Sequence, residues 1–159
     1  MRHLVLFLLP AFLLTSACQS KKNSEATEAN AEEKKIIDLK LPFLSSEEVN
    51  KLYATAEKVD MIFYELPISV NQEEEASVKN TVMYIVPASP KVTAQCKPLG
   101  RLAWLADGVI LREADVFVGE GCQYLLFMEN NQPAWANAIA PEAIQFFNNI
   151  TSQVNPRQK

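Results

Sequence analysis

The sequence predicts an α+β domain over residues 36–159, an antiparallel sheet of about five or six strands with an N-terminal and a C-terminal helix packed on it. Two stretches with apolar residues at helical spacing, residues 46–59 and those after Pro141, bracket the domain. Between them lie short runs rich in Val, Ile, Phe, Tyr and Trp, each stopped by Pro, Gly or Asn, which is the pattern of strands and turns. Asp107-Gly108, set between two such runs, has the composition of a two-residue hairpin turn whose central positions both need positive φ, so the flanking strands are antiparallel.

In chain order, Ser45 with Glu48 has the spacing of a capping box, and Val49, Leu52, Tyr53, Ala56 and Val59 then give the first helix its apolar face. MIFYEL, residues 61–66, reads as a strand ending at Pro67. ISVNQEEEASVKN has no clear period, and its Glu73, Glu74 and Glu75 either open a short helix or lie on a loop. TVMYIV, residues 81–86, reads as a strand covered on both faces. LAWLADGVILREADVFV is the hairpin; a simple two-residue turn pairs Trp104 with Leu111 and Leu102 with Glu113. All four glycines fall between residues 100 and 121, and Gly119-Glu120-Gly121 makes the turn into the next strand, CQYLLFM. In AWANAIA a period of two puts alanines on one face and Trp135, Asn137 and Ile139 on the other. Pro141, favoured at the first position of a helix, precedes Ala143, Ile144, Phe147, Ile150 and Val154 at helical spacing.

Ahead of this domain, Arg2 and His3 are followed by LVLFLLPAFLL, then Thr15, Ser16, Ala17 and Cys18. A short polar start, an apolar core and a small-residue site are the layout of a secretory signal peptide over residues 1–17. The apolar run is shorter than the roughly 20 residues that cross a bilayer. Ending such a site on cysteine resembles the lipobox of bacterial lipoproteins, although Thr15 stands where that pattern favours Leu, with Leu14 one place further back. The resemblance is confined to residues 1–18. It implies that Cys18 is acylated and becomes the first residue of the mature chain, held on the cell envelope, in the outer membrane. Two or three acyl chains, each contributing about 0.8 kcal/mol per buried methylene, anchor a protein stably. Residues 18–35 contain no apolar residue larger than alanine apart from Cys18 itself, up to the domain, and read as a disordered polar tether with a reach of roughly 25 Å.

With Cys18 assigned to lipid by that resemblance, Cys96 and Cys122 remain as an even pair in an oxidising compartment and are expected to form a disulfide. Closing that loop stabilises a fold by roughly 3 kcal/mol in the chain-entropy estimate. His3 is the only histidine and leaves with the signal peptide. The mature chain then has no imidazole for serine- or cysteine-based triads, or for histidine-ligated metal. No cofactor or metal motif is present. The formal net charge of −4, more negative once Arg2 is removed, disfavours nucleic acid as a partner.

Six residues stand out as candidates for binding. Glu113 and Asp115, two apart in a strand, face the same side with Cα atoms roughly 6.5–7 Å apart, a spacing that general acid–base work on a sugar could use. Their alternative is the polar end of a hairpin. Trp104, Trp135, Tyr64 and Tyr124 could line a groove for a ligand or anchor a partner, or simply pack in the core. The absence of a catalytic signature favours a non-catalytic domain binding an envelope protein or small ligand, over a carboxylate-dependent hydrolase of envelope polysaccharide or a structural envelope-assembly protein.

Overall fold

The computed structural model describes residues 40–93 and 95–154. The signal peptide, Cys18 and the polar tether lie outside the described residues. The domain is α+β, as its sequence predicts, with an antiparallel sheet of seven strands rather than five or six. Chain order runs α1 (Ser46–Thr55), β1 (Lys58–Phe63), β2 (Ser69–Gln72), α2 (Glu75–Val82), β3 (Ile85–Val86), β4 (Gly100–Ala106), β5 (Val109–Gly119), β6 (Cys122–Glu129), β7 (Gln132–Ile139) and α3 (Pro141–Val154). The sheet order is β2-β1-β4-β5-β6-β7-β3.

The capping box at the start of α1 is complete: Ser45 Oγ accepts from the Glu48 N–H, and the Glu48 carboxylate accepts from the Ser45 N–H. The helix stops at Thr55 instead of reaching residue 59. From Lys58 onward Val59, Met61 and Phe63 alternate into the core, and the period of two wins over the period of 3.6. This also starts β1 three residues earlier than the expected strand at 61–66.

The larger departure lies at residues 69–86. The stretch without a clear period supplies both β2 and α2, and the expected strand 81–86 is split between the end of α2 and the two-residue β3. Val78, Thr81 and Val82 form the buried side of α2. The Thr81 hydroxyl bonds back to the Val78 carbonyl at 2.7 Å, and Trp104 Nε1–H donates to Thr81 Oγ1 at 3.0 Å. A buried partner for the indole thus sits on a helical turn, where a strand would aim Thr81 elsewhere.

One face of the sheet carries the main core. Val59, Met61 and Phe63 of β1, Leu102 and Trp104 of β4, Ala114 and Val116 of β5, and Leu125 and Phe127 of β6 meet Leu52, Val82, Ala143 and Phe147 from the three helices. Gly100 lets β4 cross close to β1: a Cβ there would come within 2.2 Å of the Ile62 carbonyl oxygen. The hairpin turns use the left-handed region as their composition requires, at Asp107 and Gly108 between β4 and β5 and at Asn130 and Asn131 between β6 and β7.

The segment entering the domain wraps the outer edge of β7. The Pro42 carbonyl accepts from the Ala136 N–H at 2.8 Å, and the fully buried side chain of Asn137 clamps the next turn of chain. Its Oδ1 accepts from the Leu44 N–H at 2.9 Å, and its Nδ2 donates to the carbonyls of Leu44 and Val86, each at 3.1 Å. This edge is closed by its own chain. Replacing Asn137 with alanine leaves the Leu44 N–H and two carbonyls without their partner, and we expect a loss of at least about 2 kcal/mol. A shift of the urea midpoint at unchanged slope measures it.

Candidate functional site

The face of the sheet away from the main core is covered over only part of its extent. Residues 88–93 and 95–99 cross it as a strap. The Ala88 carbonyl accepts from the Ala138 N–H at 2.9 Å, and the Leu99 N–H donates to the Val116 carbonyl at 2.8 Å, fixing the strap's two ends. Val92 of the strap packs with Leu41 over Phe117, Tyr124 and Ala136, and the Phe117 and Tyr124 rings stack at 4.3 Å. The Cys96–Cys122 disulfide ties the strap to the first residue of β6. The sequence expectation of this bond holds.

Among the described residues nothing covers the rest of that face, and it carries Glu113 and Asp115. Their position follows from an irregularity in the hairpin. The register between β4 and β5 shifts between Trp104 and Leu105, so Trp104 pairs with Arg112 and Leu102 with Ala114, in place of the Leu111 and Glu113 expected from a simple turn. One extra residue in β5, a β-bulge, changes which side every following residue faces. Ala114 and Val116 turn inward to the core, and Glu113 and Asp115 point out, opposite Ala103 and Arg101.

Arg101 holds both carboxylates. Its Nε–H donates to Asp115 Oδ1 at 2.8 Å, and its NH1 lies 3.5 Å from Glu113 Oε1. The Tyr64 hydroxyl donates to the same Asp115 oxygen at 2.6 Å. The bond to Asp115 is the main reason that Arg101 is held even above its ordinary high pKa, so the guanidinium is charged throughout the accessible range. Tyr64 is raised above 10.0, first by partial burial of its hydroxyl and then by its bond to Asp115 and that carboxylate's charge, against the opposing charge of Arg101. The two carboxylates are therefore not a free acid–base pair around an open cleft. They are the acceptors of one arginine.

Across the sheet, strand pairing sets Ile62, Arg101, Asp115 and Leu126 in one row, with Asp60, Ala103 and Glu113 in the next and Leu105 with Ile110 beyond. Ile62 is 56% exposed, Ile110 53% and Tyr64 47%. Lys58 bridges Asp60 and Glu73 at the rim, and Asn71 donates to Asp60. The surface is a mosaic of exposed bulky side chains around a fixed ionic centre.

The two tryptophans do not join it. Trp104 has no exposed surface and lies in the core beside Phe127, ring centroids 6.1 Å apart. Trp135 is half-buried on the helical side, where the Arg112 guanidinium sits 5.5 Å over its ring. Arg112 in turn lines an open cleft of about 380 Å³ between α1 and β5, together with Glu47, Glu48, Lys51, Leu52, Thr55 and Leu111. A second cleft, of about 410 Å³, lies between α1 and the corner around Met83, with Tyr53 at its edge. Among the described residues no group of His, Cys, Asp and Glu is gathered as metal ligands, and no helix is long and apolar enough to cross a membrane.

Tyr64, one of the aromatic candidates of the sequence, does join this face through its bond to Asp115, whereas Arg101 was not a sequence candidate. Arg101 is the second residue of β4 and its partner is fourteen positions away, so only the bulged register reveals the pair. No protein family, curated protein or solved structure matches the chain.

Two outcomes are expected of this cluster. Arg101→Met leaves two half-buried carboxylates facing each other and should cost about 1–3 kcal/mol at neutral pH, between the values for exposed and buried pairs; thermal or urea unfolding reads it. Because the folded-state pKa of Tyr64 is raised, its contribution is fully present below the unfolded value of about 10 and is lost as pH climbs through the folded value. In Tyr64→Phe, the decline of stability above that pH should be shallower, and the latest part of the tyrosinate absorbance titration should be diminished.

Proposed function

We propose that the chain is a bacterial envelope lipoprotein, acylated at Cys18, whose domain binds a protein partner through the uncovered part of its sheet. The observation that carries this reading is the mosaic of Ile62, Tyr64 and Ile110 around the Arg101 cluster. An exposed sheet face with isolated bulky side chains and a preformed ionic centre suits a flat protein surface: the aliphatic groups supply buried area and the arginine cluster supplies register. A small ligand would call for a concave site that encloses most of its surface. The clefts beside α1 are open; the one at Arg112 is bordered by the charges of Glu47, Glu48 and Lys51, and the one at Tyr53 is a shallow, mainly apolar surface.

Pairing with Arg101 argues against the hydrolase alternative. A general acid or base must be free to reach the substrate, and Asp115 already accepts from both Arg101 and Tyr64 while Glu113 lies against the same guanidinium. The charged centre of the face likewise departs from the flat apolar patch that suits a purely structural assembly role. Anchoring rests on the residues around Cys18, and the polar tether gives the domain room to meet a partner near the membrane.

Two experiments test this reading. Metabolic labelling with a clickable palmitate analogue should tag the chain and lose its signal in Cys18→Ser, with release from the membrane fraction; a label that survives the substitution contradicts the anchor. Affinity capture from envelope extract should retain a discrete protein on the wild-type chain and about tenfold less on Ile62→Glu, since a charge replaces a central apolar contact. Equal retention by Ile62→Glu, with loss in Tyr53→Glu on α1, would move the interface to the helical side.

A further inference from the structure

We infer that the Cys96–Cys122 disulfide is a thiol-exchangeable latch, and that opening it frees the strap over Phe117 and Tyr124 while the sheet stays folded. The inference rests on the reading of the sheet face as the binding surface for its functional consequence, which is to enlarge or reshape that face. Its physical basis is separate and lies in how the strap is held.

The strap is fastened at its ends by backbone hydrogen bonds to β7 and β5, through Ala88 and Leu99. Between those ends, among the described residues, the strap is held by the side chain of Val92, a β-bridge at Thr93, a long bond of 3.5 Å from the Tyr124 hydroxyl to the Thr93 carbonyl, and the disulfide. Pro90 and Pro98 remove two backbone donors from the same stretch. The seven strands and three helices pack chiefly through the core on the other side, to which neither cysteine belongs. Releasing the bond therefore removes the covalent hold on a segment whose other central contacts, among the described residues, are one valine, the bridge at Thr93 and one long hydrogen bond. Local opening of this kind leaves the cooperative core intact.

The chemistry also has a direction. Both cysteines are partly exposed, so a thiolate can approach the bond. The Thr93 hydroxyl lies 2.9 Å from Cys96 Sγ, and because a disulfide sulfur carries no hydrogen, the hydroxyl is the donor. That donor stabilises charge on Cys96 and makes it the better leaving group. A dithiol reductant attacks Cys122 Sγ as thiolate; the S–S bond breaks and its electron pair leaves on Cys96 Sγ, which takes up a proton. The second thiol of the reductant, deprotonated, then attacks its own sulfur in the mixed disulfide and expels Cys122 as thiolate, which is protonated in turn. The reductant ends as its disulfide and the protein as two thiols, a balanced two-electron exchange.

The test uses the full chain with Cys18→Ser, so that the thiols counted are Cys96 and Cys122. Glutathione, quenched early, should leave its adduct on Cys122 by peptide mass mapping, and reduction by dithiothreitol should slow by about threefold or more in Thr93→Val. After reduction, amides of residues 88–99 should exchange hydrogen at least about tenfold faster, while α3 and the centre of β4 to β6 keep their protection. The Cys96→Ser, Cys122→Ser double variant should fold cooperatively and show the same fast strap. Reduction that proceeds only at the rate of global unfolding, a double variant that does not fold, a strap whose exchange is unchanged, or a first adduct on Cys96 each overturns the latch. These readouts need no partner, so a failure of the latch is distinct from a failure of the binding surface; changed capture of the partner on reduction would join the two.

Discussion

The uncovered face of this domain depends on a single extra residue in β5. Without the bulge next to Trp104, the alternation of the hairpin would carry Glu113 toward the side of Leu102 and Trp104, and Ala114 and Val116 away from it. Burying two carboxylates in an apolar core would cost far more than the local loss of a ladder bond. The apolar core thus selects the bulged register, and the bulge in turn delivers both acids to Arg101. Trp104, seated by Thr81 at one end of this chain of dependence, and Asp115, seated by Arg101 and Tyr64 at the other, are consequences of the same register.

The two sides of the sheet then divide the work. The helical side supplies stability: three helices cover it, aromatic rings such as Phe63 and Phe147 meet edge to face, and Asn137 ties the entering chain to the β7 edge. The other side is only partly closed, by a strap that a disulfide secures. Covering that side in part leaves a sheet surface whose charges are mutually paired, so it is soluble without being featureless. The entering chain reaches the β7 edge from the strap side, because Leu41 packs with Val92 and Leu44 with the helical core.

Much of the fold was legible in the sequence because local chemistry decided it. The capping box of Ser45 and Glu48, Asp107-Gly108 and the start of α3 at Pro141 follow from residue types at fixed spacings, and Cys96 pairs with Cys122 as the two cysteines left once the lipobox resemblance assigns Cys18 to lipid. Three features were hidden. The helix at 75–82, which the sequence offered only as an alternative to a loop, carries mixed polar residues after two glutamates, and it is seated by the bond from Trp104 to Thr81, a tertiary contact. The bulge at Leu111 leaves no signature in composition, so the sequence could pair Glu113 and Asp115 with each other but could not find their arginine. Asn137, a polar residue on the face shared with Trp135 and Ile139, was a visible anomaly whose explanation needed the entering chain beside it.

The central claim is that the face organised by Arg101, rather than the helical side, meets the partner. The most direct measurement is photo-crosslinking in living cells, with a photoreactive residue placed singly at Ile62 or Ile110 on the face and at Tyr53 or Met83 on the helical side. The account predicts one discrete protein adduct from both face positions and none from the helical pair. Adducts from Tyr53 or Met83 with silence at Ile62 and Ile110 would contradict it.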